Sequence, residues 1–192
     1  EVKFSSDLRK LEYLVKWITR NLSHLIGLKI SDLFGNLSSF REVLSLIFTI
    51  RQNVPSDFLW ILGGIIYPQD YAMAVYLGFD FIDMRHIFLT GMRGLYITSE
   101  SRFWLRELHA PLCLCDACRY IHDEMKKTPI TGKESFHLHP YIVRHNFISG
   151  MTEMAKIIQV LHNCTLRTSL EAQIHVSPYL TSLLRVLDHE YA

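Results

Sequence analysis

Pro111-Leu112-Cys113-Leu114-Cys115-Asp116-Ala117-Cys118-Arg119-Tyr120 carries three of the chain's four cysteines in a C-x-C-x2-C spacing, and His145 follows near the start of a helical stretch. Thiolates this crowded repel one another, and three of them cannot all pair as disulfides. A cation that neutralises them accounts for the spacing better than oxidation does. Zinc is the expected ion, one per chain, held by Cys113, Cys115, Cys118 and His145. Three sulfurs and one imidazole fill a tetrahedral shell and leave no place for a reactive water, so the predicted role is structural. His109, His122, His137 and His139 lie close enough in sequence to compete for the fourth place. His145 is preferred because the first turn of a helix over 141–161 would present a rigid imidazole to the preceding loop; His137-x-His139 is the second choice. The remaining histidines are expected at the surface, and Cys164 as an ordinary free thiol.

Upstream of that loop the chain alternates between helix and strand signals. Leu8, Leu11, Val15, Ile18 and Leu22 recur at helical spacing behind Ser5-Ser6-Asp7, a capping sequence. The apolar run 25–30, ending in Ser31-Asp32, predicts a strand. Phe40, Val43, Ile47 and Ile50 predict a second helix behind residues 36–39. Residues 58–62, closed by Gly63-Gly64, read as a second strand, 68–77 as a third helix, and Gly78-Phe79-Asp80-Phe81-Ile82-Asp83 as a third strand. Such alternation predicts an α/β fold of parallel strands joined by right-handed crossovers. Leu95-Tyr96-Ile97 reads as one more short strand, and 141–161, 166–172 and 178–187 as helices. Three or four βα units do not close an eight-stranded barrel. The expected division is a partial barrel over 1–108 and a zinc-binding, mainly helical subdomain over 109–192.

With 192 residues and 49% apolar content the chain can bury a core, and no run of about 20 apolar residues predicts a membrane span. Reduced-looking cysteines and the lack of a leader at Glu1 predict a soluble, cytoplasmic protein. A net charge of +1 decides little in either direction about nucleic acid, since a dedicated binder usually shows a strong basic bias. The distribution is less even: Arg85, Arg93, Arg102, Arg106, Arg119, Lys126, Lys127 and Lys133 gather around the cysteine loop. Arg85, Arg93 and Arg119 are candidate RNA contacts, weighed against an ordinary solvated face.

Asp83 at the end of its Gly-x-Asp-x-x-Asp strand, then Arg93-Gly94-Leu95-Tyr96-Ile97-Thr98, the C-x-C-x2-C loop and His145-Asn146 together resemble the C-terminal half of the tRNA-guanine transglycosylase family. Residues 77–83 are similar to the last barrel segment of its archaeal, archaeosine-forming branch, and the resemblance runs from about residue 27 to the C-terminus. It implies the C-terminal part of a (β/α)8 TIM-type barrel with a zinc subdomain, and a role in archaeosine (7-deazaguanine) biosynthesis on tRNA. It also implies that Asp83 matches the carboxylate that attacks the ribose anomeric carbon during base exchange. Barrel active sites are built at such strand ends, although Asp83 also fits an ordinary turn aspartate after a strand.

Two stretches depart from the family pattern. Leu62-Gly63-Gly64-Ile65-Ile66-Tyr67-Pro68 stands where the family carries Gly-x-Gly-x-Pro, and Met84-Arg85-His86 after the aspartate is bulkier than the small residues expected there. A remodelled pocket would suit the paralogous archaeosine synthase, which adds a lysine to a base already installed. The resemblance further implies a second polypeptide supplying the N-terminal barrel half, or a longer chain of which this is a fragment, with tRNA as partner, dimerisation through the zinc subdomain, and no turnover by this chain alone. The alternative is a non-catalytic zinc-binding accessory subunit that supports dimerisation and tRNA binding.

Overall fold

The computed structural model describes residues 2–3, 8–21, 24–34, 40–127, 132–173 and 178–190. The Ser5-Ser6-Asp7 cap and residues 36–39 ahead of the second helix lie outside the described residues. In chain order the elements are β1 (Val2–Lys3), α1 (Leu8–Asn21), β2 (Gly27–Ser31), α2 (Phe40–Gln52), β3 (Leu59–Gly63), α3 (Tyr71–Tyr76), β4 (Phe81–Ile82), α4 (Arg85–Gly91), β5 (Leu95–Ile97), β6 (Arg102–Trp104), α5 (Asp116–Lys127), α6 (His139–His162), α7 (Leu166–Ala172) and α8 (Pro178–Glu190).

Strands β1 to β4 lie side by side in chain order, every pair parallel. A doubly wound sheet reverses its order at a switch point. Strands that advance one place at a time, with helical crossovers, follow the wall of a (β/α)8 barrel. The helix–strand order read from the apolar runs is present, with β1 added; two residues are too few to show an alternating pattern. The third helix is split. Residues 68–70 wind first as a 3-10 turn, in which the Asp70 carboxylate takes the Tyr67 N–H at 3.0 Å, and α3 follows from Tyr71.

The chain divides into two compact units. The first, residues 1–65, 72–83 and 167–192, holds the parallel sheet with α1, α2 and α8. Its core includes Ile30, Leu62, Leu44, Ile47 and Leu184, and Trp60 is held edge-on between Phe58 and Phe79. Lys29 pairs in register with Ile61, Ser31 with Gly63, and Ile61 with Phe81. Because side chains alternate along a strand, Lys29, Ser31 and Gly63 share one face, and Asp83, two residues beyond Phe81, continues that row.

The second unit, residues 66–71 and 84–166, contains α4, the β5–β6 hairpin, α5 and α6. This division does not follow the expected boundary at 108/109. Leu95-Tyr96-Ile97 does form a strand, but it pairs antiparallel with β6, Tyr96 opposite Phe103, and not with the parallel sheet. The cause is local: only four residues separate β5 from β6, and Thr98 Oγ1 accepts the Glu100 and Ser101 N–H groups to close the turn. A connection that short reverses the chain, whereas a parallel neighbour needs a long crossover. Residues 167–192, expected with the metal-binding part, cluster with the sheet unit. Among the described residues no helix is long and apolar enough to cross a membrane.

Candidate metal centre

Cys113 and Cys115 come from the loop ahead of α5, and Cys118 rides in that helix's first turn. His145 comes from α6, which starts at His139, two residues earlier than the periodicity suggested; His145 therefore occupies the second turn and not the first. Cys113 Sγ lies 3.2 Å from Cys118 Sγ, and His145 Nδ1 lies 3.3, 3.7 and 3.1 Å from the sulfurs of Cys113, Cys115 and Cys118. A tetrahedral ion bonded at about 2.3 Å to sulfur and about 2.0 Å to nitrogen spaces its ligands by roughly 3.5–3.8 Å. The donor set is thus gathered at close to coordination spacing, all four atoms within 4.8 Å of one another, and could hold a metal ion.

The surroundings orient these donors. His145 Nε2 sits 2.9 Å from the Ile97 carbonyl, which only accepts, so Nε2 carries the proton and Nδ1 turns its lone pair toward the sulfurs. Burial lowers the imidazole pKa to about 4, against a smaller opposite pull from Ile97, and so keeps the ring in its neutral, ligating form. The Tyr96 ring stacks on His145, centroids 3.8 Å apart and planes within 4°. Tyr96 Oη accepts the Leu112 N–H at 3.1 Å and shares a hydrogen bond with Cys118 Sγ at 3.2 Å.

Burial also pushes the Cys118 and Cys115 thiols above their ordinary range. At Cys113 burial acts the same way, but hydrogen bonds from the Cys115 backbone and from Cys118 outweigh it and leave that thiol lowered. Three sulfurs crowded in a partly dry site resist losing their protons together; a bound dication reverses that balance.

In the sheet unit, Lys29 Nζ forms an ion pair with Asp83 Oδ2 at 2.7 Å, both side chains about 17–18% exposed, while the Asp83 N–H donates to the Leu62 carbonyl. The Gly63-Gly64 departure has a local explanation. A Cβ on Gly63 would collide with Lys29 Cε, and Gly64 adopts φ +81° against Asp32, a conformation that disfavours other residues.

A model of the queuine tRNA-ribosyltransferase family matches residues 8–176, which include the Asp83 strand end and all four candidate ligands. The chain belongs to this family. Archaeosine synthase from Haloferax volcanii is 26% identical over 163 residues, 85% of this chain but 26% of the relative. Archaeosine synthase subunit alpha from Methanosarcina acetivorans is 26% identical over 153 residues, 79% of this chain and 24% of the relative. A tRNA-guanine(15) transglycosylase from Methanosarcina mazei is 31% identical over 149 residues, 77% of this chain and 29% of the relative. The chain spans about a quarter of the length of the curated relatives it matches.

Within this queuine tRNA-ribosyltransferase family chain, the competing histidines lie outside the cluster. His109, His122 and His137 are exposed, and His137 Nε2 lies 3.7 Å from a Glu124 carboxylate oxygen. His139 differs from its expected surface position: it is buried, with Nδ1 2.8 Å from the Met92 carbonyl. Cys164 is an exposed free thiol. Arg85, Arg93 and Arg119 are all exposed, and Arg119 approaches Asp116 at 4.0 Å.

Sequence reasoning assigned no role to Asn146, Lys29 or Tyr96. Asn146 is fully buried; its Oδ1 accepts the Ile97 N–H, and its Nδ2 donates to the carbonyls of Leu95 and Ile87. It fastens α4 and β5 to α6 beside the candidate ligand His145. A signal was present: His139, His145, Asn146 and Glu153 share the buried face of α6 with Ile142, Gly150 and Ile157, and polar residues on a core-facing stripe mark a site.

Proposed function

We propose that this chain is the C-terminal, metal-bearing part of a tRNA-modifying enzyme of archaeosine (7-deazaguanine) biosynthesis. A second polypeptide, or a further stretch of a longer one, supplies the remaining barrel strands. The observation that carries this reading is the Cys113/Cys115/Cys118/His145 cluster in a family chain whose last parallel strand delivers Asp83 beside Lys29. Zinc is the ion that three sulfurs and one imidazole at this spacing fit best, and once bound it supplies a cross-link between the cysteine loop, α5 and α6. The thiolates need a reducing compartment, and the proposed location is the cytoplasm.

Two chemistries divide the catalytic reading. In base exchange, Asp83 would attack the ribose anomeric carbon as a free carboxylate. In the archaeosine synthase-like reaction the base already installed is modified and that attack is not required. The Lys29 ion pair on Asp83 favours the second, as does the likeness to chains named archaeosine synthase. Arg85, Arg93 and Arg119 are the proposed tRNA contacts. Phe147, Met151, Ile158 and Leu161 form an exposed apolar row on α6, with Phe88 beside Phe147, and support dimerisation through the metal-bearing unit.

The test begins with mass spectrometry of the complex purified through a tag on this chain, followed by assays on the Asp83→Asn complex. Loss of labelled guanine exchange into tRNA would establish base exchange with Asp83 as nucleophile. Retained modification of an installed 7-deazaguanine supports the synthase-like reaction. Unchanged exchange and modification would make this chain an accessory subunit.

A further inference from the structure

Within the metal-bearing unit, away from the four clustered ligands, a cleft of about 360 Å³ is lined by Arg93, Gly94, Trp104, Arg106, Phe136 and His139 among others. Its volume falls within the range of about 300–1,000 Å³ typical of small-molecule sites. We infer that this cleft takes one unstacked nucleotide of a single-stranded RNA segment, its base against Trp104 and Phe136 and its phosphate on Arg93 and Arg106. The inference rests on the reading of tRNA as partner, and it names a place and a mode of contact which that reading does not contain.

The chemistry of the walls carries it. Trp104 and Phe136 are 41% and 61% exposed, large aromatic surfaces left in water in the lining of the cleft. An aromatic face open to solvent is what a splayed-out base stacks on, and because every base has a π-face the contact tolerates sequence. Among the described residues no carboxylate lines the cleft, whereas two guanidiniums do. Arg106 Cζ lies over the Trp104 ring at 5.9 Å from its centroid, so one cation already shares a face of that stacking surface. It also meets Glu107 at 3.5 Å, but both groups are exposed, and such a pair competes weakly with a phosphate.

Other features hold the cleft open. Gly94 lies at φ +84°, and a Cβ there would come within 2.9 Å of His139 Nε2. The Gly94 carbonyl accepts the Leu105 N–H, which fixes the Arg93–Gly94 corner against the strand carrying Trp104. Phe136 stands edge-on to His139 at 5.0 Å, and His139 Nδ1–H donates to the Met92 carbonyl, so the histidine is tethered and steadies the phenyl ring. With Nδ1 used in this way, Nε2 keeps a lone pair that can accept from a base amino group.

The test measures binding by the zinc-loaded complex of a fluorescently labelled single-stranded RNA oligomer, of tRNA, and of free nucleoside 5′-monophosphates, for the native protein and for Trp104→Ala, Phe136→Ala and Arg93→Gln. The two aromatic substitutions are expected to weaken RNA-oligomer binding about tenfold each, as loss of one base stack does. Arg93→Gln is expected to weaken it and to lower the slope of log Kd against log salt by about one. Far-ultraviolet circular dichroism and zinc content, unchanged in each variant, establish that folding is intact. If tRNA binds normally and all three variants bind RNA as the native protein does, the cleft assignment falls while the tRNA reading stands. If no RNA binds at all, both fall. Binding of free monophosphates without binding of the oligomer would overturn the RNA-strand assignment in favour of a free-nucleotide pocket.

Discussion

Lys29 reaches the Asp83 carboxylate at 2.7 Å across Gly63, which lies between them on the same face and leaves room for the lysine stem. The pair ties β2 to the end of β4 across β3. Both side chains are mostly but not fully buried, so the energy lies between that of an exposed pair and that of a fully desolvated one, on the order of 1–3 kcal/mol when one partner is removed. Lys29→Met and Asp83→Asn should each lower the unfolding free energy, measured by urea titration, by that amount. The double variant should be less destabilised than the sum of the two by about 1 kcal/mol. Additive effects would mean that the pair contributes nothing to stability.

Asn146 is the side chain that ties β5 and α4 to α6 in the unit holding the candidate metal centre. It satisfies one donor and two acceptors of the backbone, in β5 and α4, at a place with no solvent to replace it. Asn146→Ala leaves the Ile97 N–H and the Leu95 carbonyl without that partner in a dry interior. A buried polar group stripped of its bond costs about 1–3 kcal/mol, so a loss of about 2–4 kcal/mol is expected for the site. The Ile97 carbonyl also orients His145, and the same variant should bind zinc more weakly in a chelator competition. A stable variant with native zinc affinity would show that the bracket is dispensable.

Much of this was legible in the chain, and what was not had physical causes. The runs at 25–30 and 58–62 became β2 and β3, with Leu28, Ile30, Trp60 and Leu62 buried on one face and the alternate positions Gly27, Lys29, Leu59 and Ile61 only partly buried or exposed. The cysteine loop and His145 came together as their donor chemistry required. The two-residue β1 was invisible because it lacks a period. The pairing of Leu95-Tyr96-Ile97 was decided by the Thr98 turn, where hydroxyl bonding to the backbone reverses the chain. Lys29 was unreadable for a different reason: its partner is 54 residues away, and only strand register brings the two together.

Removal of one sulfur tests the metal centre directly. Cys115→Ser takes one thiolate from a closed four-ligand set and should abolish stoichiometric zinc, read by plasma mass spectrometry of the purified protein. Metal affinity is folding free energy for such a loop, so the melting temperature should fall as well, by an amount worth several kcal/mol. A chelator should do the same to the native protein, reversibly on zinc addition. Cys164→Ser, at an exposed thiol outside the cluster, should change neither quantity. One zinc per chain with an unchanged melting temperature in Cys115→Ser would refute the ligand assignment.

Asp70 gives the fold a second acid-sensitive element, of opposite sign to the metal centre. The residue is 2% exposed; one carboxylate oxygen takes the Tyr67 N–H and the other, Oδ1, has no hydrogen-bond partner among the described residues. Burial raises its pKa from 3.8 to about 6, against smaller lowering effects from the Tyr67 N–H and from Arg102, which lies over the Tyr67 ring. The folded state therefore holds this proton to higher pH than the unfolded chain does. Its stabilising contribution is fully present below about pH 4 and is lost as the pH rises through about 6, a change on the order of 2–3 kcal/mol. Asp70→Asn, isosteric and never ionised, should lack that dependence. Metal ligation weakens in acid, so the quantity to measure is the difference in unfolding free energy between the native protein and Asp70→Asn from pH 4 to 7.5, in which the shared metal contribution cancels. The variant should gain relative to the native protein as the pH rises. A difference independent of pH would show that Asp70 stays ionised across this range.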